Sequence, residues 1–145
     1  MISLKVKKLT STAKIPTKAH NTDACFDLYC DNKYDIIIQP HCSEVLSTGI
    51  QTEIPEGYFA PVFSRSGMGF KQGLRLCNSV GVIDADYRGE WMVKLVNDSE
   101  IPAVIHPGNK IAQFTLLPVL DINIEDVEEL SDTERGEGGF GSTGK

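Results

Sequence analysis

Short apolar runs, closely punctuated by turn residues, recur along the chain. They are Cys25–Cys30, Ile36–Ile38, Val45–Ile54, Tyr58–Phe63, Leu74–Ile83, Trp91–Val96, Ala103–Ile105 and Ile111–Val119. Between them stand Pro40, Pro55-Glu56-Gly57, Asp98-Ser99 and Pro107-Gly108-Asn109. Proline presets φ for a turn, glycine supplies positive φ, and asparagine or aspartate bonds nearby backbone. Strands at this spacing predict an all-β sandwich, jelly roll or barrel. Within Trp91–Val96, period-two alternation puts Trp91, Val93 and Leu95 on one face and Met92, Lys94 and Val96 on the other. No stretch sustains a 3.6-residue period; at most one short helix is predicted, after Ser64 and ending near Gly73. Neither an internal repeat nor an interdomain linker is visible, so one domain is expected.

The N-terminus alternates Ile2, Leu4 and Val6 with Lys5 and Lys7. That is a strand pattern, unlike the unbroken apolar core of a signal peptide, and no run reaches the roughly 18 apolar residues of a membrane span. A cytoplasmic location, or a host-cell interior if the source is viral, is therefore expected, with no membrane partner. From Ser131 onward the only apolar residue is Phe140, among glycines, hydroxyls and Arg135. Such a segment cannot build a core. It reads either as a flexible tail or as a lid that orders over a ligand. Glycine backbone would approach an anion closely, and the aromatic would stack on a ring. The chain thus divides into a β domain, 1–130, and a glycine-rich arm, 131–145.

Charge narrows the partners. The net charge of −6 arises from 14 basic and 20 acidic residues. Eight of the acids (Asp121, Glu125, Asp126, Glu128, Glu129, Asp132, Glu134 and Glu137) lie beyond residue 120, against only Arg135 and Lys145. The body is neutral, so no stable nucleic-acid binding is expected. The lysines between Lys5 and Lys18 read as a solvated edge strand. Cys25, Cys30, Cys42 and Cys77 form no C-x-x-C pair, so they read as reduced, structural residues and not as a zinc site. His20, His41 and His106 sit beside turn residues without metal spacing and read as surface residues.

Two segments carry candidate chemistry. Phe63-Ser64-Arg65-Ser66-Gly67-Met68-Gly69 follows a strand and opens the predicted helix, so an arginine fork, a hydroxyl and glycine backbone converge there as a phosphate cradle. The alternative is a helix cap by Ser64 or Ser66. In Asn78 to Glu90, Val82-Ile83 flanked by Gly81 and an Asp-x-Asp turn reads as a β-hairpin. Asp84 at the strand end suits a general base, and Tyr87 could pack against a sugar. Asp27 lies inside an apolar run, where an unpaired acid is costly to bury; it either faces solvent or serves a site.

Together these segments resemble the trimeric deoxyuridine triphosphatase (dUTPase) family. Five stretches match its motifs in order: Asp23-Ala24-Cys25-Phe26-Asp27-Leu28; Arg65-Ser66-Gly67-Met68-Gly69; Gly81 to Gly89; Pro107 to Gln113; and Arg135 to Gly144. The resemblance implies a β jelly-roll (β-clip) protomer in a homotrimer with shared sites, each closed by a neighbour's flexible arm. It implies hydrolysis of dUTP to dUMP and pyrophosphate with Mg2+, which limits uracil in DNA and supplies dUMP for dTMP synthesis. Asp84 would activate the attacking water. Arg65, Ser66, Gly67 and Gln113 would hold phosphates. Asn78, Gly81, Val82 and Ile83 would surround the uracil edge, with Tyr87 under the deoxyribose and Met92 lining the pocket. Arg135, Phe140, Gly141, Ser142 and Thr143 would form the lid, and Asp27 would meet magnesium through water. Cys25 replaces the usual glycine of the first motif, and Asn109 the usual acid of the fourth. Two rivals share the fold: a dCTP deaminase-like enzyme, and a regulatory protein that binds a macromolecular partner of unknown identity.

Overall fold

The computed structural model describes residues 2–139. It contains β1 (Lys5–Lys8), β2 (Phe26–Tyr29), β3 (Ile36–Ile38), β4 (Ser43–Ser47), β5 (Ile50–Glu53), β6 (Tyr58–Phe63), α1 (Ser66–Gln72), β7 (Leu74–Leu76), β8 (Val80–Ile83), β9 (Met92–Asn97), β10 (Ala103–Ile105), β11 (Lys110–Phe114) and β12 (Leu117–Pro118). The all-β class with one short helix is as expected. Three apolar runs each become two strands. Val45–Ile54 breaks at Gly49, whose φ is 64°. Leu74–Ile83 breaks at Cys77–Ser79, with Ser79 at φ 61°. Ile111–Val119 breaks between Phe114 and Leu117.

All pairings are antiparallel. The largest sheet is organised by β6, which takes β8 on one edge and β11, then β12, on the other; β11 passes on to β2. A second sheet runs β4-β9-β7, and two ribbons pair β1 with β5 and β3 with β10. Among the described residues no ring of pairings closes into a barrel. The expected hairpin at Val82-Ile83 does not form. β8 pairs with β6, while β9 joins β4 and β7 in the other sheet. The physical reason lies after the turn. Glu90 Oε1 accepts from the Gly49 amide (2.8 Å) and the Ser47 hydroxyl, and the Trp91 amide donates to Ile50 O (3.0 Å). These bonds carry the chain across to the β4–β5 corner.

The core lies between the inward faces of these sheets. In and before β9 the predicted alternation holds: Trp91, Val93 and Leu95 are buried, Met92 and Lys94 exposed. Phe114 stacks on Phe26 (5.7 Å) and meets Trp91 edge-on (4.9 Å). Asn97 is also fully buried, which its polarity alone would not suggest. Its amide nitrogen donates to Ile38 O (3.0 Å) and Ile101 O (2.8 Å), and its oxygen accepts from the Ser99 amide and hydroxyl. A buried amide satisfied in this way stitches β9 to the 99–101 turn at little net cost.

Helix α1 ends where predicted. Gly73 takes φ 65° and its amide bonds Gly69 O (3.2 Å). A Cβ there would lie 3.0 Å from Ser99 Cβ. Gly73→Ala is therefore expected to destabilise the fold by about 1 kcal/mol or more, read by chemical denaturation. Unchanged stability would remove the left-handed stop from the account.

Of the three cysteines that lie in apolar runs, Cys25, Cys30 and Cys77, the last is not buried. Cys30 is buried, Cys25 half-buried, and Cys42 and Cys77 are exposed. Burial raises the thiol pKa of Cys25 and of Cys30. The three histidines are exposed, and each lies beside a carboxylate: Asp23, Glu100 and Asp35 respectively.

Candidate active site

The chain folds β8 as an edge strand. Only β6 pairs with it among the described residues, so half of its backbone donors and acceptors face outward. Beside that edge opens a cleft of about 280 Å³. Its floor includes Leu28, Val62, Trp91 and Val93, and its walls include Asn78, Gly81, Val82, Ile83 and Met92. Gly81 lies opposite Val62, and a Cβ there would approach Val62 Cβ to 3.2 Å. A second recess of about 220 Å³ is lined by Val82, Ile83, Asp84, Tyr87, Glu90 and Met92. The two share Val82, Ile83 and Met92, so seven of the expected residues surround one continuous surface.

Asp84 is exposed at the end of β8, and its carboxylate takes no hydrogen bond from a described residue. It is available to accept a proton from water. The following turn is held by one backbone bond and one side chain: the Tyr87 amide donates to Asp84 O (3.2 Å), and the Arg88 guanidinium donates to Ala85 O (2.6 Å). The Tyr87 hydroxyl donates to Glu90 O (3.1 Å) and lies over Gly89, where any Cβ would overlap it. That contact fixes the plane of the ring beside Asp84.

A second cluster forms on the other edge of β6. Asp27, in β2, is buried; its Oδ1 meets Arg65 Nε at 2.9 Å and its Oδ2 meets Lys110 Nζ at 2.7 Å. The Asp27 carboxylate raises the Lys110 pKa above its ordinary value. Gln113 stands directly opposite Asp27 in the β2–β11 register, so both side chains share a face. Gln113 Nε2 donates to Ser64 O (3.0 Å), just before Arg65. The Ser64 hydroxyl accepts from the Leu76 amide (2.9 Å), and the residue at the helix start, Arg65, makes no side-chain cap. Ser66 and Gly67 are exposed at the first turn, and a Cβ on Gly67 would meet nothing within 4 Å. No packing within the protomer demands glycine there.

None of Arg65, Ser66, Gly67 or Gln113 lines the cleft or the recess. Arg135 donates to Gly138 O (2.7 Å) in an exposed segment away from both. Phe140, Gly141, Ser142 and Thr143 lie outside the described residues. Both oxygens of Asp27 are in ion pairs, one with Arg65 and the other with Lys110. Sequence reading passed over Lys94 and Cys77, which line the cleft, and Lys110 and Glu90. Lys94 was findable, because period two puts it on the face of Met92; Lys110 lies inside the fourth motif but points to Asp27 only through a β-bulge.

An apolar cleft along a free strand edge, with a carboxylate and an aromatic ring at its mouth, defines a site for a flat heterocycle carrying polar edges. Comparison narrows that class. A dUTPase family model matches residues 11–144, and the chain belongs to the dUTPase family. It is 44% identical over 143 residues to a deoxyuridine 5'-triphosphate nucleotidohydrolase of Clostridium tetani, covering 99% of this chain and 97% of that one. A protein of the same name from Nautilia profundicola is 46% identical over 144 residues, covering 99% and 100%. Among solved structures, the Staphylococcus bacteriophage 80alpha dUTPase with dUpNHpp superposes with a TM-score of 0.84 at 30% identity, covering 99% of both chains. A point mutant of the dUTPase from phage phi11 of S. aureus, described with a structural Mg(II) ion, gives 0.76 at 27%, covering 88% and 97%.

Proposed function

We propose that this chain hydrolyses dUTP to dUMP and pyrophosphate. The observation that carries the reading is the free edge of β8 running into the recess of Asp84 and Tyr87, in a chain of this family. Uracil offers alternating acceptors and a donor, which outward backbone groups of β8 and Asn78 complement. The Tyr87 ring, fixed by Glu90 O, packs against deoxyribose and leaves a 2′-hydroxyl no room. Asp84 takes a proton from water as the water oxygen bonds to the α-phosphorus. The bond from that phosphorus to the bridging oxygen breaks, and pyrophosphate leaves. Displacement of this kind depends on positioning and charge neutralisation more than on covalent chemistry. Magnesium enters with the triphosphate as part of the substrate and neutralises its charge. The reaction limits uracil in DNA and supplies dUMP.

The protein offered dUTP, UTP, dTTP, dCTP and dATP with magnesium should convert dUTP alone. Deamination of dCTP would move it to the deaminase branch, and no turnover by folded protein would leave a binding role.

We further infer a homotrimer in which the cleft of one protomer is completed by the cation cluster of a neighbour, with the 131–145 arm closing over it. The separation of cleft and cluster in the protomer supports this. So does the segment before the arm, where Leu120, Ile122, Ile124 and Leu130 are all largely exposed. Arg135, Phe140, Gly141, Ser142 and Thr143 would then cover the nucleotide. Asp84→Asn and Arg65→Ala variants, each inactive alone, should regain activity when unfolded, mixed and refolded together. With shared sites about a quarter of them would hold both native residues. Mixtures as inactive as their parents would place each site within one protomer.

A further inference from the structure

The turn that carries Asp84 and Tyr87 is anchored at its far end by Glu90. The half-buried side chain of Glu90 reaches into the corner between β4 and β5, where Oε1 accepts from the Gly49 amide (2.8 Å) and the Ser47 hydroxyl. That corner is firmly built. Gly49 is buried at φ 64°, and any Cβ on it would overlap Asp31. Ser47 is held by the loop after β2: its amide donates to Asn32 Oδ1 (3.0 Å), and its carbonyl accepts from the Asp31 amide (2.8 Å). The peptide after Glu90 is fixed as well. Its N–H, from Trp91, donates to Ile50 O (3.0 Å), and the next carbonyl accepts from the Thr48 hydroxyl. A peptide unit is planar, so the Glu90 carbonyl shares the constraint on the Trp91 amide. One backbone bond still lets the unit turn about that contact; the side chain of Glu90 supplies the second point. This carbonyl is the one that takes the Tyr87 hydroxyl (3.1 Å). Both partners of Glu90 Oε1 are neutral donors, so the clamp needs an acceptor there and not a charge.

We propose that Glu90 is a positioning residue that sets the discrimination between deoxyribose and ribose. This rests on the dUTP reading above. Glu90 acts through Tyr87: the clamp on the β4–β5 corner holds the carbonyl, the carbonyl holds the ring, and the ring limits the space at the sugar 2′ position. A ring fixed at its hydroxyl excludes a 2′-hydroxyl; a ring free to tilt admits it.

The test measures kcat and KM of the full chain for dUTP and for UTP, with magnesium. Glu90→Ala should lower the ratio of kcat/KM for dUTP to that for UTP by about tenfold, within the roughly 100-fold that a misplacement of about 1 Å costs. Glu90→Gln keeps the acceptor and should hold the ratio within about twofold of the wild type. Ser47→Ala removes one of the two donors and should lower the ratio by about threefold. Equal losses on both substrates in Glu90→Ala, at an unchanged ratio, would make its role structural alone and overturn the proposal. A Glu90→Gln variant as indiscriminate as Glu90→Ala would overturn it too, since the charge and not the acceptor would then matter. Should Glu90→Ala fail to fold, a wild-type ratio in Ser47→Ala has the same force. Wild-type protein that turns over neither nucleotide overturns the dUTP reading first, and this proposal with it.

Discussion

Asp84→Asn retains affinity for dUpNHpp and loses turnover by about 10²–10⁴-fold, the range for removal of a general base. The expectation follows from where Asp84 stands. It follows the end of β8, beside the free edge, and shares the recess with Tyr87 and Met92. No described residue donates to its carboxylate, so nothing in the protomer competes with water for it. Asparagine keeps the size and the turn, because the turn is closed by the Asp84 carbonyl and not by its side chain. What it removes is the capacity to take a proton. A single-turnover assay with excess enzyme separates this loss from slow product release. Turnover within about threefold of the wild type would remove Asp84 from its role.

Phe114→Ala lowers stability by about 3–5 kcal/mol, the cost of emptying an aromatic site in a packed core. Phe114 is buried against both Phe26 and Trp91, and pairs with Phe26 in the β2–β11 ladder and with Val62 of β6. At about 2–4 °C per kcal/mol for a chain of this size, the melting temperature drops by roughly 6–20 °C at fixed protein concentration. The loss extends to the site. Gln113, the preceding residue, aligns with Asp27 through the same ladder. Binding of dUpNHpp to the surviving folded fraction should therefore weaken as well. A drop of less than about 1 kcal/mol would mean that the core collapses onto the gap and that β11 holds its register without the ring.

Much of the nucleoside side was legible. Asn78, Gly81, Val82, Ile83, Asp84 and Tyr87 are close in sequence, so a strand and a turn suffice to gather them. Met92 joins them from the outward face of β9, a face that simple alternation identifies. The phosphate side was less legible. Arg65 and Asp27 are 38 residues apart, and their contact depends on which strands flank β6. Cys77 lies in an apolar run yet is exposed, because the run breaks at Cys77–Ser79 between β7 and β8, a turn that apolar composition does not mark.

The sequence by itself determined the all-β class, the short helix and its stop at Gly73, the inward face of β9 and the motif stretches. Each depends on local rules: period two, positive φ at glycine, turn chemistry, and residue types at fixed spacing. Only the tertiary structure decided that β8 pairs with β6 instead of folding back on β9, and that Asp27 joins Arg65 to Lys110. Those outcomes turn on strand partners and on one β-bulge. Register between distant strands is set by the packing of whole faces against one core, which no local pattern encodes.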